Sequence, residues 1–111
     1  MKLLGVFTVI LIGATPAWAA DWSPMTGAQI ADALTGQTVV YSNARQTFLG
    51  SGRTEYTEDR PSTGYWRVEG DQYCSQWPLS DLWECYDMAR DGDQIRFIAR
   101  DGSKTDGTLQ N

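Results

Sequence analysis

Hydrophobic and polar positions along this chain fall into three regimes. Residues 3–14 (LLGVFTVILIGA) are apolar without interruption. From Asp21 to Gly36 the apolar residues recur at helical spacing, with Ile30, Ala31, Ala33 and Leu34 forming a stripe. From Gln37 onward the period falls to two. Clusters of Gly, Asp, Asn, Ser and Pro punctuate it, a pattern that predicts short strands joined by turns.

The middle regime predicts one helix over residues 21–36. It offers two starts: Ser23-Pro24, with proline at the first helical position, and Thr26 with Gln29 three residues on, a capping-box pattern. Gly36 is the natural stop. The strand regime predicts strands at 38–42, 46–50, 53–57, 64–69, 72–77, 82–89, 94–99 and 107–109. Turn clusters separate them, among them Gly50-Ser51-Gly52, Gly70-Asp71, Asp91-Gly92-Asp93 and Asp101-Gly102-Ser103. Such spacing predicts an antiparallel meander.

The hairpin holding Cys74 and Cys85 is the most constrained piece. Pairing the two cysteines across antiparallel strands sets Tyr73 opposite Tyr86 and Trp77 opposite Leu82, with Met88 on the same face. That apolar face is the predicted core. The other face carries Gln72, Cys74, Gln76, Trp83, Cys85 and Asp87 and is mostly polar. A slip of one residue would exchange the two faces, so cysteine spacing and apolar pattern specify the same register. Trp66 with Val68, and Ile95 with Phe97, alternate in the same sense.

The uninterrupted apolar run is too short to span a bilayer, which needs about 20 residues. Lys2 precedes it, Thr15-Pro16 breaks it, and Ala17-Trp18-Ala19 supplies an A-x-A site. Residues 1–19 are therefore expected to be a cleavable signal peptide, and residues 20–111 a single small domain, periplasmic or secreted. Two cysteines in such a domain are expected to form one disulfide.

The whole chain of 111 residues carries a net charge of −5, and removal of Lys2 makes it more negative. That disfavours nucleic acid and anionic membrane as partners, since both require a basic patch. A basic periplasmic or cell-wall protein is the partner class it allows. Histidine is absent, which removes the commonest general base and metal ligand. No nucleophile elbow, P-loop or dinucleotide fingerprint is present. No catalytic residue, cofactor or metal is expected. Glu55, Glu58, Glu69 and Glu84 could serve only a two-carboxylate mechanism, and read better as solvated carboxylates. The tail from Asp101 to Gly107 departs from the calcium-loop pattern and reads as a hairpin turn.

The segment Gly64-Tyr65-Trp66-Arg67-Val68-Glu69-Gly70-Asp71-Gln72-Tyr73-Cys74, followed by Trp77, Cys85 and Asp91-Gly92-Asp93, resembles a group of small exported bacterial proteins of unknown function. The helix-to-strand passage from Ile30 to Thr38 resembles theirs as well. The resemblance implies a β-rich fold with a disulfide and transfers no catalytic residue. A dihydrodipicolinate reductase label attached to some such proteins gains no support here, because the chain is short and lacks the dinucleotide fingerprint.

The expected fold is α+β, an N-terminal helix packed on a curled antiparallel meander of six to eight strands, with a small closed barrel as the alternative. The expected function is a non-enzymatic binding or accessory module. Its partner surface would lie on the polar face at Trp83, Gln76 and Asp87. Two narrower versions are an inhibitor of a basic, lysozyme-like cell-wall hydrolase, using a loop at 59–63, and a carrier of a small apolar ligand. For the carrier, the sheet is expected to be filled largely by its own Trp and Tyr side chains.

Overall fold

The computed structural model describes residues 21–110; the expected signal segment and its cleavage site lie outside them. Among these residues the elements run β1 (Ser23–Pro24), α1 (Gly27–Leu34), β2 (Thr38–Val40), β3 (Arg45–Phe48), β4 (Arg53–Thr57), β5 (Pro61–Glu69), β6 (Gln72–Gln76), β7 (Glu84–Asp91), β8 (Gln94–Ile98) and β9 (Lys104–Gln110). All pairings are antiparallel. Each of β2 to β8 pairs with its successor, save that β9 pairs with both β8 and β2.

The meander is therefore not open. Val39 pairs with Leu109, and this last seam closes eight strands into a barrel. Closure removes the unpaired backbone that an open sheet presents at its edges. An eight-stranded barrel is just wide enough to be filled by side chains or to hold one small ligand.

Most predicted strands form within a residue or two of their expected bounds. The helix does not. It begins at the Thr26 capping box, where Gln29 N donates to Thr26 Oγ1 (3.2 Å) and Thr26 N to Gln29 Oε1 (2.9 Å). Ser23-Pro24, the other candidate start, instead forms β1 against Arg90 and Ala89. The reason lies in β7, which outruns β6. Only Glu84–Tyr86 pair with β6, so the same edge of β7 is open further along and β1 fills it. Proline is tolerated there because an edge strand can spare one donor.

A helix of eight residues is marginal alone, so packing must hold α1. Ile30 and Leu34 are fully buried, together contributing roughly 3–6 kcal/mol. They join Val39, Phe48, Trp66, Ile95 and Leu109 in one core. The first turn of α1 rests on the β5–β6 turn, where Gly27 N donates to Asp71 Oδ1 (2.7 Å). A Cβ at position 27 would collide with the Gly70 carbonyl oxygen, so only glycine fits there. Just past α1, Gly36 N donates to Phe48 O (2.6 Å). The helix thus plugs one end of the barrel.

The Cys74–Cys85 disulfide joins β6 to β7 on the outer face. Tyr73 sits opposite Tyr86 as expected, and Met88 is buried. The expected Trp77–Leu82 pair does not form. Pairing ends at Ser75 with Glu84, and Leu82 is 70% exposed instead of in the core. Beyond it the chain leaves the ladder as a loop, in which Leu79 adopts φ +75°. In the tail, Asp101–Ser103 is the expected turn, with Ser103 N donating to Asp101 Oδ1 (2.9 Å). Residues 104–107, read as part of that turn, already belong to β9.

Candidate functional site: an aromatic cup at the open end

At the end away from α1 the barrel is not filled. A cavity of about 860 Å³ opens there, within the range of small-molecule sites. Its walls come from the ends of almost every strand. Tyr41 follows β2, Tyr56 lies on β4, Tyr73 on β6, Tyr86 on β7 and Phe97 on β8, and Trp77 follows β6. The alternation of each strand points these rings inward: Gln46 pairs with Tyr56, Tyr73 with Tyr86, and Met88 with Phe97.

The rings form a continuous lining. Centroids lie 6.2 Å apart for Tyr41–Tyr56, 6.0 Å for Tyr56–Trp77, 6.1 Å for Tyr41–Phe97 and 5.2 Å for Tyr73–Phe97. These spacings are those of favourable tilted and edge-to-face pairs. Two glycines make room for them. A Cβ on Gly64 would meet the Trp77 ring, and one on Gly107 would meet Val39 and the Tyr41 ring.

A polar cluster lies deep in the cup. Gln46 is only 5% exposed. Its Oε1 accepts from the Tyr41 hydroxyl (2.8 Å), and its Nε2 donates to Thr54 Oγ1 (2.9 Å) and Tyr73 Oη (3.3 Å). The Thr54 proton goes to Thr47 O (2.9 Å), so Thr54 must accept from Gln46. That fixes the orientation of the amide. Burial pushes the Tyr73 hydroxyl up to about 12, against hydrogen bonds from Ser75 and Gln46 that pull it down. Burial, reinforced by Tyr73, Tyr56 and Tyr86, raises Tyr41 further. Both stay protonated across the physiological range.

Charged groups sit at the mouth. Lys104 and Asp106 line it, and Asp106 receives a two-pronged contact from Arg96 (2.8 and 2.9 Å). Glu55, Glu58 and Glu69 are exposed on the barrel surface, and Glu69 pairs with Arg67. Glu84 is exposed near the Tyr86 hydroxyl, 3.5 Å away. None of the four lines the cavity. Glu69, Cys74 and Cys85 approach one another closely, but both sulfurs are committed to the disulfide and offer no thiolate to a metal.

The residues expected to form a partner surface lie outside the cup. Trp83 is half-buried beneath the Arg67 guanidinium, 3.8 Å from its ring centroid. Gln76 pairs with Tyr65 on the ladder, and Asp87 accepts from Gln72 Nε2 (3.1 Å). The expected 59–63 loop is a tight turn, because Pro61–Thr63 already pair with Glu55–Thr57. Of the predicted core face of the cysteine hairpin, Tyr73, Trp77 and Tyr86 reach the cavity. Tyr41, Gln46, Tyr56 and Phe97 complete it. Alternation along β2 to β4 could have pointed to Tyr41 and Tyr56, since both fall on the same face as Val39 and Phe48.

Comparison of the chain with family models, with curated proteins and with solved structures finds no match in any of the three.

Proposed function

We propose that this protein is an exported, non-enzymatic binding module whose ligand is a small molecule held in the open end of the barrel. The observation that carries this reading is the aromatic cup: an apolar concavity of about 860 Å³ with a few convergent polar groups at its base. That is the usual make-up of a ligand site. The carrier reading of the sequence assumed a barrel filled by its own rings. Here the rings line the open end and leave a cavity between them. The Lys2-led apolar segment, its A-x-A site and the Cys74–Cys85 disulfide support export.

The test is titration of the oxidised protein with a neutral aromatic dye, followed through tryptophan fluorescence. Trp77→Ala weakens binding about tenfold, the loss of one stacked ring, while Trp83→Ala on the outer face leaves it unchanged. Equal effects of the two substitutions would reject the cup as the site.

A second reading keeps the hydrolase inhibitor and moves its contact. The 77–83 loop is braced at its base by the disulfide and displays fully exposed Leu79 in left-handed backbone. Strain of this kind concentrates at functional loops. Inhibition of lysozyme in a turbidity assay that is lost in Leu79→Ser supports this reading; no inhibition at micromolar protein removes it.

A further inference from the structure

The aromatic side chains of the cup spend their polar hydrogens on the protein. The Tyr41 proton goes to Gln46 Oε1 (2.8 Å). Tyr73 accepts from Gln46 Nε2 (3.3 Å) and is hydrogen-bonded to Ser75, whose Oγ also takes the Trp77 ring N–H (3.3 Å) and keeps a lone pair for the Tyr73 proton. Nearer the mouth, the Tyr56 hydroxyl bonds to the Glu58 carboxylate, and the Tyr86 hydroxyl reaches Glu84 Oε1 (3.5 Å). An ionised carboxylate only accepts, so both phenols point their protons at it. The rings therefore have no donor left for a guest. They offer it π-faces and phenol oxygens, both negative.

The formal charges at the mouth have the same sign. Glu58 and Glu84 are exposed and, among the described residues, neither is in an ion pair. Asp106 is matched by Arg96. Lys104, the one cation among the described lining residues, donates to Gly102 O (3.3 Å) on its own turn. A net charge of −5 on the whole chain draws cations toward the protein. The kind of cation follows from the walls. A metal ion needs several oxygen ligands in place of its water, which ring faces do not supply. An alkylated ammonium spreads its charge over weakly hydrated methyl groups and is held by aromatic faces. Such a head takes up only part of about 860 Å³, so an apolar body can follow it.

Resting on the cup being the ligand site, we propose that its ligand is an organic cation: an alkylated ammonium head held by the faces of Tyr41, Tyr56, Trp77 and Tyr86, with Glu58 and Glu84 as counter-charges, on an apolar body lodged in the cup. These four rings are half-buried, while Tyr73 and Phe97 are buried behind them, in contact with Tyr86 and Tyr41. A neutral guest of the same shape also enters, held by the rings alone.

The experiment uses the full oxidised protein and two probes of one shape, read by equilibrium dialysis at low ionic strength. These are phenoxyethyl trimethylammonium and its neutral isostere, in which a tert-butyl group replaces the ammonium. The wild type binds the cation about tenfold tighter than the isostere, as a partly desolvated cation over aromatic faces would give. Replacing both exposed carboxylates, Glu58→Gln with Glu84→Gln, lowers the affinity for the cation about fivefold, as two partly screened charges would give. It leaves the isostere unchanged, which shows that the cup is intact. Equal affinities in the wild type, tighter binding of the isostere, or a cation preference undiminished in the double variant would each overturn the ligand class while leaving the cup as a site. Failure of both probes to bind would remove the site itself, and the ligand class with it.

Discussion

Replacing Gly64 by alanine probes the link between a single methyl group and the candidate site. Gly64 faces into the barrel from β5, opposite Thr54. A Cβ there would lie 2.6 Å from the Gln76 carbonyl oxygen and 2.7 and 2.8 Å from Cε3 and Cδ2 of Trp77. The carbonyl belongs to the ladder between β5 and β6, where Tyr65 pairs with Gln76, so it cannot yield without breaking backbone pairing. That pairing must be disturbed, and Trp77 must move as well. It would give up its edge contact with Tyr56 and its hydrogen bond to Ser75. Overpacking costs about 1–3 kcal/mol, and the lost ring pair and hydrogen bond about 1 kcal/mol each, so the expected destabilisation is roughly 3–5 kcal/mol. Urea unfolding of Gly64→Ala measures it, and dye titration of the same protein shows a weakened site. Gly92→Ala is the control. It sits at φ +61° with open space around it, so it costs only the left-handed backbone penalty of about 1–2 kcal/mol and leaves dye binding intact. Wild-type stability and affinity in Gly64→Ala would refute the packing of Trp77 on Gly64.

Three further outcomes are expected. Replacing Cys74 and Cys85 together by alanine releases a loop of sequence separation 11 and lowers stability by about 3 kcal/mol on chain-entropy grounds; chemical denaturation of the oxidised and substituted proteins measures it. At high pH, Tyr73 ionises near 10.0 when unfolded and about 12 when folded. Its share of stability is intact below pH 10 and falls by roughly 3 kcal/mol as pH rises through 12, so alkaline unfolding should coincide with tyrosinate formation and occur at higher pH than for exposed phenols alone. At low pH, the Arg96 hydrogen bond holds Asp106 below the usual carboxylate range. Its contribution is present above about pH 4 and lost as pH falls through the folded value. Asp106→Asn should flatten the acid limb of stability against pH and leave the neutral plateau little changed, since the pair is exposed.

Local pattern made much of the fold legible. Two cysteines and the apolar set Tyr73, Tyr86 and Met88 define one register, and that register forms. The same reasoning failed at Trp77 and Leu82 because it extended the ladder past the point where the backbone turns through Leu79 at φ +75°, a conformation that leucine does not announce. Closure into a barrel was offered only as the alternative to an open sheet. It depends on Val39 meeting Leu109 across most of the chain, and no local signal encodes a seam between such distant strands. Alternation says which face is inward, not whether the sheet meets itself. The helix start was visible as one of two choices. Tertiary pairing decided between them, since β7 needed an edge partner and Ser23-Pro24 supplied it.

The cup was half legible. Tyr73, Trp77 and Tyr86 fall on the predicted core face of the cysteine hairpin, but their shared cavity also requires Tyr56 and Phe97 from two other strands and Tyr41 just past a third. Gln46 was the least visible member. A glutamine in a strand reads as surface, and only the burial of its partners Tyr41, Thr54 and Tyr73 turns it into the hub of the cluster.

The most direct measurement is a native mass spectrum of the protein recovered from the exported fraction without refolding, before and after addition of a neutral aromatic probe. The expected spectrum shows an oxidised chain beginning at Ala20 that carries one small molecule, or takes up one probe molecule per chain, with the added mass lost on denaturation and reduced in Gly64→Ala. A bare chain that takes up no probe at saturating concentration would contradict a ligand site in the open end of the barrel.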